Sequence, residues 1–220
     1  MENSKILSHV DHTLLKAVSS WDEICTLCEE SIKFKTASVC VPPSYIKRIA
    51  DNFSGINICT VIGFPLGYNI SSVKTAEAEA AVNDGANEID MVINIGDVKN
   101  GDFNKVTGEI AAIKKAVGNH ILKVIIEACY LTEEEKVSLC GCVTEAGADY
   151  IKTSTGFGTA GAVMEDIILF KKHIGPQVKI KAAGGIRTRQ DMVDFLSAGC
   201  DRLGTSSAIK ILSGEETSGY

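Results

Sequence analysis

Three stretches decide how this chain folds: residues 80–92, AAVNDGANEIDMV; residues 143–154, VTEAGADYIKTS; and residues 195–206, FLSAGCDRLGTS. Each reads as a helix end, a glycine, a small or polar residue, and then a strand. A connector used three times points to repeated αβ units rather than to two unlike domains. Working outward, β-branched runs at Ser8–Asp11, Thr36–Val41, Asn57–Ile62, Glu88–Asn94, Leu122–Glu127, Tyr150–Ser154, Val178–Ala182 and Arg202–Gly204 read as strands. Helical runs lie between them at Trp21–Lys33, Ser44–Asn52, Ser71–Asp84, Phe103–Val117, Thr132–Ala146, Val163–Ile174 and Gln190–Ala198, and a last helix begins near Ser206. Thr132 ahead of Glu133, Glu134 and Glu135 suits a helix start, and Gly85, Gly118, Gly147, Gly175 and Gly199 suit helix ends. Eight strands, each followed by a helix, predict an α/β fold of the closed (β/α)8 TIM-barrel type. A doubly wound open sheet is the competing fold. It usually has fewer strands, and no G-x-G-x-x-G follows the first one. The expectation is one domain over residues 1–220, with a loose tail at 213–220.

Composition narrows the class. Hydrophobic residues make up 45% and charged residues 23% of the 220, ordinary values that argue against disorder. A net charge of -6 with no basic block argues against nucleic acid as a partner. No apolar run approaches the ~18 residues that span a bilayer, and the first residues, MENSKILSHV, do not read as a secretion signal. The eight cysteines read as reduced, mostly buried thiols in a cytoplasmic protein. Cys25 and Cys28 form a C-x-x-C inside a helical run, which reads as helix interior, and no second pair completes a zinc site. The four histidines do not form a metal-ligand spacing, so no metal is expected.

Side chains alternate across a strand, so apolar parity shows which set faces the helices. In Glu88–Asn94 that set is Ile89, Met91 and Ile93, leaving Glu88, Asp90 and Asn94 toward the barrel axis. In the fifth strand Lys123 and Glu127 turn inward; in the sixth, Lys152; in the seventh, Lys179 and Lys181. Charges inside a barrel are costly unless paired or hydrated, so this interior is an ion network or an active site. Glu88, Lys123 and Lys179 sit low and read as structural. Lys152, Lys181 and Glu127 sit at strand C-terminal ends, where barrel enzymes place their chemistry, with Asp90 slightly deeper.

A free lysine, with a pKa of about 10.4, is protonated near neutrality and is not a nucleophile. Desolvation and a second cation both favour the neutral amine. Lys152 and Lys181 fall at matching heights on adjacent strands, about 4.8 Å apart, so one of the two amines is pushed toward the neutral form a Schiff base requires. Asp90, two strands from Lys152, adds a proton-transfer group.

Loops on the same face carry glycine or hydroxyls: Ser154-Thr155-Gly156-Phe157-Gly158-Thr159, Gly184-Gly185-Ile186-Arg187-Thr188 and Gly204-Thr205-Ser206-Ser207. Together they suggest a phosphate site. No G-x-x-x-x-G-K-[ST] and no G-x-S-x-G is present, which excludes a nucleotide P-loop and weakens a serine hydrolase. Cys40, near the end of the second strand, is a small core filler or lines a substrate. Asp11 caps the turn after the first strand or binds a substrate hydroxyl.

Residues 149–157, DYIKTSTGF, resemble the Schiff-base lysine motif of the deoxyribose-phosphate aldolase family. Residues 179–187, KIKAAGGIR, resemble its second-lysine motif, with Ala182 where proline is frequent; residues 88–92, EIDMV, resemble its catalytic-aspartate strand. VDHTL at 10–14 and RLGTSS at 202–207 resemble its N-terminal signature and phosphate-site end, so the likeness spans about residue 8 to residue 207. The resemblance implies a class I aldolase that needs no cofactor and cleaves 2-deoxy-D-ribose 5-phosphate to acetaldehyde and D-glyceraldehyde 3-phosphate. It implies Lys152 as the Schiff-base amine, Asp90 and Lys181 in proton transfer, and Gly156, Gly184, Gly185, Ser206 and Ser207 at the phosphate. It further implies Asp11 and Thr155 at substrate hydroxyls, and a C-terminal Tyr220 folding over the site. A homo-oligomer, dimer or tetramer, is expected. The alternatives are another Schiff-base barrel, transaldolase-like or acting on a ketose phosphate, and a phosphosugar-binding protein without turnover.

Overall fold

The computed structural model describes residues 1–214. Eight strands run β1 Val10–Thr13, β2 Ser38–Val41, β3 Ile58–Ile62, β4 Glu88–Val92, β5 Ile121–Ile125, β6 Tyr150–Lys152, β7 Lys179–Ala183 and β8 Arg202–Thr205. They pair in sequence order, all parallel, and β8 returns to β1 through Val10↔Leu203 and Asp11↔Gly204, so the sheet closes. The helices are α1 Asn3–Leu7, α2 Trp21–Phe34, α3 Ile46–Asn52, α4 Ser71–Asn83, α5 Ile95–Lys99, α6 Phe103–Val117, α7 Glu133–Glu145, α8 Met164–His173, α9 Arg189–Ala198 and α10 Ala208–Ser213. This is the expected TIM barrel.

Local chemistry sets the helix starts. Ser20, Thr132 and Thr188 each accept a backbone N–H in the first turn of α2, α7 and α9, and Glu23, Glu135 and Asp191 return the bond to the cap. Such a cap is worth about 1 kcal/mol. Gly147 and Gly199 take φ of 73° and 114° after α7 and α9, a left-handed backbone suited to glycine.

The main core lies between the helices and the outer face of the sheet, where Ile89, Met91, Leu122, Val124, Ile151, Ile180 and Leu203 are buried. A second, small apolar cluster of Cys40, Cys59 and Val61, packed by Leu15 and Phe64, lies on the β2–β3 side. Much of the rest of the interior carries charge.

Several ends differ from the sequence expectation, and four of them have a legible local cause or bear on the site. β1 begins at Val10 rather than Ser8, because the Ser8 hydroxyl bonds back to Lys5 O and finishes α1. Asn94 does not face the axis: its side chain accepts the Gly96 N–H at 3.0 Å and starts the extra helix α5. α10 begins at Ala208 rather than Ser206, since Thr205 Oγ1 takes the Ser207 N–H at 3.2 Å and holds a turn ahead of it. Of the expected loose tail, Ser213 ends α10, while residues 215–220, Tyr220 included, lie outside the described residues.

Candidate active site

The register of β6 and β7 sets Lys152 directly beside Lys181. Both amines reach the same atom: Lys152 Nζ and Lys181 Nζ each lie 2.7 Å from Asp90 Oδ2, so no more than twice that distance separates them. Asp90 Oδ1 accepts Lys123 Nζ at 2.9 Å and the Cys59 thiol at 3.2 Å. Lys152 is 3% exposed, while Asp90 and Lys181 show no surface at all.

Below this cluster a second tier of charges supports it. Asp11 pairs with Lys181 and Arg202, and accepts Ser38 Oγ at 2.8 Å. Glu88 takes Arg202 at 2.7 Å and Lys123 at 2.5 Å. Gly204 makes room for Lys181: a Cβ there would stand 3.2 Å from Lys181 Cε and 3.0 Å from the Ala183 Cβ.

These pairings decide the protonation states. Burial alone would raise the Asp11 and Asp90 carboxyls, yet the surrounding ammonium and guanidinium groups hold both well below the usual carboxylate range. Burial would strip protons from Lys181 and Lys123, yet the carboxylates of Asp11 and Asp90 keep both above the ordinary lysine range. Lys181 is therefore a fixed cation next to Lys152. Three carboxylates, Asp11, Glu88 and Asp90, face four cations, Lys123, Lys152, Lys181 and Arg202. Counted as ions, these groups would leave one positive charge over in a place water hardly reaches. Among the described residues Lys152 has a single carboxylate oxygen and shares it with Lys181, fewer ionic partners than any other cation of the cluster.

The other sequence-derived residues fall into two groups. Gly156, Gly184 and Gly185 take φ of 88°, 77° and 74°, and none of their N–H groups makes a hydrogen bond among the described residues. Gly161 packs on Gly184 so closely that a Cβ on it would lie 2.3 Å from the Gly184 carbonyl carbon, and Ala162 N–H bonds to Ala183 O and Gly184 O at 3.1 Å. The loops after β6 and β7 thus form one surface, with Ser206 and Ser207 on the adjoining strand end.

Asp11 and Thr155 are each bonded to other side chains of the protein. Asp11 is the second residue of β1 rather than its end, fully buried, and supports Lys181 from below. Thr155 directs its hydroxyl to Glu127 Oε2 and accepts Phe157 N–H at 3.0 Å. Cys40 is buried against its register partner Cys59, whose hydrogen bond lowers the Cys40 thiol while burial opposes this. Lys179, expected inside, is exposed at the floor, 5.7 Å from the Tyr150 ring centre. Cys40, Cys59 and Asp90 place ligand atoms within 4.8 Å of one another, but a cation there would have to expel an ammonium group from Asp90.

Arg202 and Cys59 were not singled out from sequence. Arg202 had a legible signal, since Leu203 faces the helices and Arg202 with Gly204 must face in. Cys59 had none, because its strand is buried at every position and a cysteine there reads as a small core residue.

A deoxyribose-phosphate aldolase of Clostridium botulinum (strain Alaska E43 / Type E3) is 65% identical over 100% of both chains. The solved structure of QR15, an aldolase, superposes with a TM-score of 0.91 at 39% identity, covering 95% of each chain. The deoxyribose phosphate aldolase of Aeropyrum pernix, described as a unique tetramer, superposes with a TM-score of 0.87 at 31% identity, over 97% of this chain and 92% of that one. Residues 5–209, which hold every charged group of the interior, match the DeoC/LacD family of aldolases, and the chain belongs to that family.

Proposed function

We propose that this aldolase cleaves 2-deoxy-D-ribose 5-phosphate to acetaldehyde and D-glyceraldehyde 3-phosphate, with Lys152 as the Schiff-base amine. The observation that carries the reading is that buried Lys152 shares its one carboxylate contact, Asp90 Oδ2, with the fixed cation Lys181. Lys152 Nζ, having lost a proton, adds to the sugar aldehyde, and loss of water leaves an iminium ion. A base takes the proton of the C3 hydroxyl, the C2–C3 bond breaks, and its electron pair flows into the iminium to give an enamine. Glyceraldehyde 3-phosphate departs. The enamine takes a proton at C2, and water releases acetaldehyde and restores the amine.

Asp90 starts with four donors on its two oxygens. When Lys152 bonds to carbon it leaves Oδ2, freeing a lone pair for a water that carries protons to and from the substrate. Lys181, protonated and fixed, raises the cost of a second ammonium beside it and polarises that water. The free N–H groups of Gly156, Gly184 and Gly185, with Ser206 and Ser207 beside them, suit the phosphate. The coarser element of the reading, a phosphosugar substrate, accords with the names of the relatives. A homo-oligomer is part of the proposal, and the Aeropyrum relative is described as a tetramer. No helix among the described residues is long and apolar enough to cross a membrane. The eight free cysteines support a reducing compartment, the cytoplasm, as the place of action.

Borohydride added with substrate tests the reading. The expected result is one reduced adduct, mapped by mass spectrometry to Lys152. An adduct on Lys181, or none while the sugar phosphate turns over, overturns it. Acetaldehyde serving as donor where dihydroxyacetone does not separates this reaction from that of a ketose-phosphate aldolase.

A further inference from the structure

Glu127 stands two residues beyond β5, with φ of 50°, a left-handed backbone that a side chain other than glycine seldom adopts. Parity would turn its carboxylate toward the axis. The left-handed turn sends it to the loop after β6 instead. It is 2% exposed, and its donors are neutral: Thr155 N–H at 3.2 Å to Oε1 and 3.4 Å to Oε2, the Thr155 hydroxyl, and the Cys129 thiol at 4.0 Å. A buried carboxylate without a cation is expensive, and an unusual backbone at the same residue adds to the cost.

Both neighbours of Gly156 are governed by this contact. Thr155 N–H points at Glu127, and Phe157 N–H points at Thr155 Oγ1 at 3.0 Å. The N–H of Gly156 between them makes no hydrogen bond among the described residues. The next residues are drawn in as well: a Cβ on Gly158 would stand 3.0 Å from Glu127 Cδ and 2.9 Å from Cys129 Sγ. A carboxylate suits the task because it accepts from the N–H and the O–H of one residue together. An amide would turn its own donor on one of them.

We infer that Glu127 is a positioning residue: its carboxylate latches the loop of residues 155–158 so that Gly156 N–H faces the substrate phosphate, and Thr155 serves this latch. The inference rests on the phosphate reading given above. The residues flanking Glu127 also bond to the Lys152 strand, Ile126 N–H to Lys152 O at 3.1 Å and Ala128 N–H to Thr153 O at 2.9 Å, so the test must separate the phosphate end from the amine.

Kinetics on 2-deoxy-D-ribose 5-phosphate and on unphosphorylated 2-deoxy-D-ribose do this, with inorganic phosphate as a competing probe. In Glu127→Gln, KM for the phosphate ester and the inhibition constant of inorganic phosphate are expected to rise about tenfold or more, while kcat/KM for the unphosphorylated sugar stays within about threefold. Thr155→Val should raise the inhibition constant of inorganic phosphate to the same extent, and Thr155→Ser, which keeps the hydroxyl, should restore it. If Glu127→Gln does not fold, Thr155→Val carries the comparison with the Glu127 backbone intact. Equal losses on both sugars, or a phosphate-ester KM within about twofold of wild type, overturn the role of Glu127. A wild-type enzyme that neither prefers the phosphorylated sugar nor binds inorganic phosphate overturns the phosphate reading itself, and the latch with it.

Discussion

Within the barrel, the lower tier of Glu88, Lys123 and Arg202 and the upper tier of Asp90, Lys152 and Lys181 use the same chemistry, and all but the half-buried Arg202 are buried. Their pairing differs. Lys123 reaches Glu88 at 2.5 Å, Asp90 at 2.9 Å and Asp11 at 3.8 Å, and Arg202 grips both Asp11 and Glu88. Lys181 likewise has two carboxylates, Asp11 and Asp90. Lys152 has only half of one oxygen's attention. The comparison teaches that a barrel can make an amine reactive by pairing every other cation first. Tight pairing below is what leaves the surplus charge above.

The largest effects expected from this contrast separate activity from stability. Lys152→Met should lower kcat by about four orders of magnitude, with no borohydride adduct at position 152. Because it removes the surplus cation, its urea midpoint should equal or exceed that of wild type. Lys181→Met and Arg202→Met each strand buried carboxylates and should lose about 3–5 kcal/mol in the same denaturation. Equal destabilisation by Lys152→Met and Lys181→Met would show that the tiers do not differ.

The pH dependence of stability sharpens the same contrast. Asp11 and Asp90 are depressed in the folded state, so their contribution is present above the unfolded value of about 3.9 and fades as pH falls through the folded values below it. Lys123 and Lys181 are raised, so theirs is full below about 10.4 and fades as pH rises through the folded values above it. The contribution of these four groups to the urea midpoint should therefore be constant between about pH 4 and pH 10. In Lys181→Met the carboxyls of Asp11 and Asp90 lack one counter-ion and move up toward the free value, so the acid-side fall should be shallower than in wild type, starting from a lower neutral-pH stability.

A smaller effect probes the fit around Lys181. Gly204→Ala sets a methyl 3.2 Å from Lys181 Cε and 3.0 Å from the Ala183 Cβ. It should cost about 1–3 kcal/mol by overpacking. It should also slow turnover about tenfold by displacing the amine from Asp90 Oδ2. Unchanged kinetics would mean that Lys181 has slack that the contacts do not suggest.

Much of this was legible because strand parity depends only on the pleat. Ile89 and Met91 on one side of Asp90, and Ile151 next to Lys152, are enough to say which way the charges face. Parity fails where the strand stops being a strand. Asn94 was read as inward but caps α5, and Glu127 was read as inward but lies in a left-handed turn. It also fails to rank inward residues by height: Asp11 reads as a strand end until α1 takes up Ser8 and moves the start of β1 to Val10.

The sequence by itself determined the closed (β/α)8 order, the inward direction of Asp90, Lys152 and Lys181, and the likeness to an aldolase family, since each depends on local periodicity or short motifs. Only the tertiary structure decided which carboxylate pairs with which cation. Those partners are up to 191 residues apart, as Asp11 and Arg202 are, and meet only because the barrel closes on itself. The charge left over on one lysine is a property of the whole ring, set by Coulomb interactions in a medium water barely enters, and no single strand contains it.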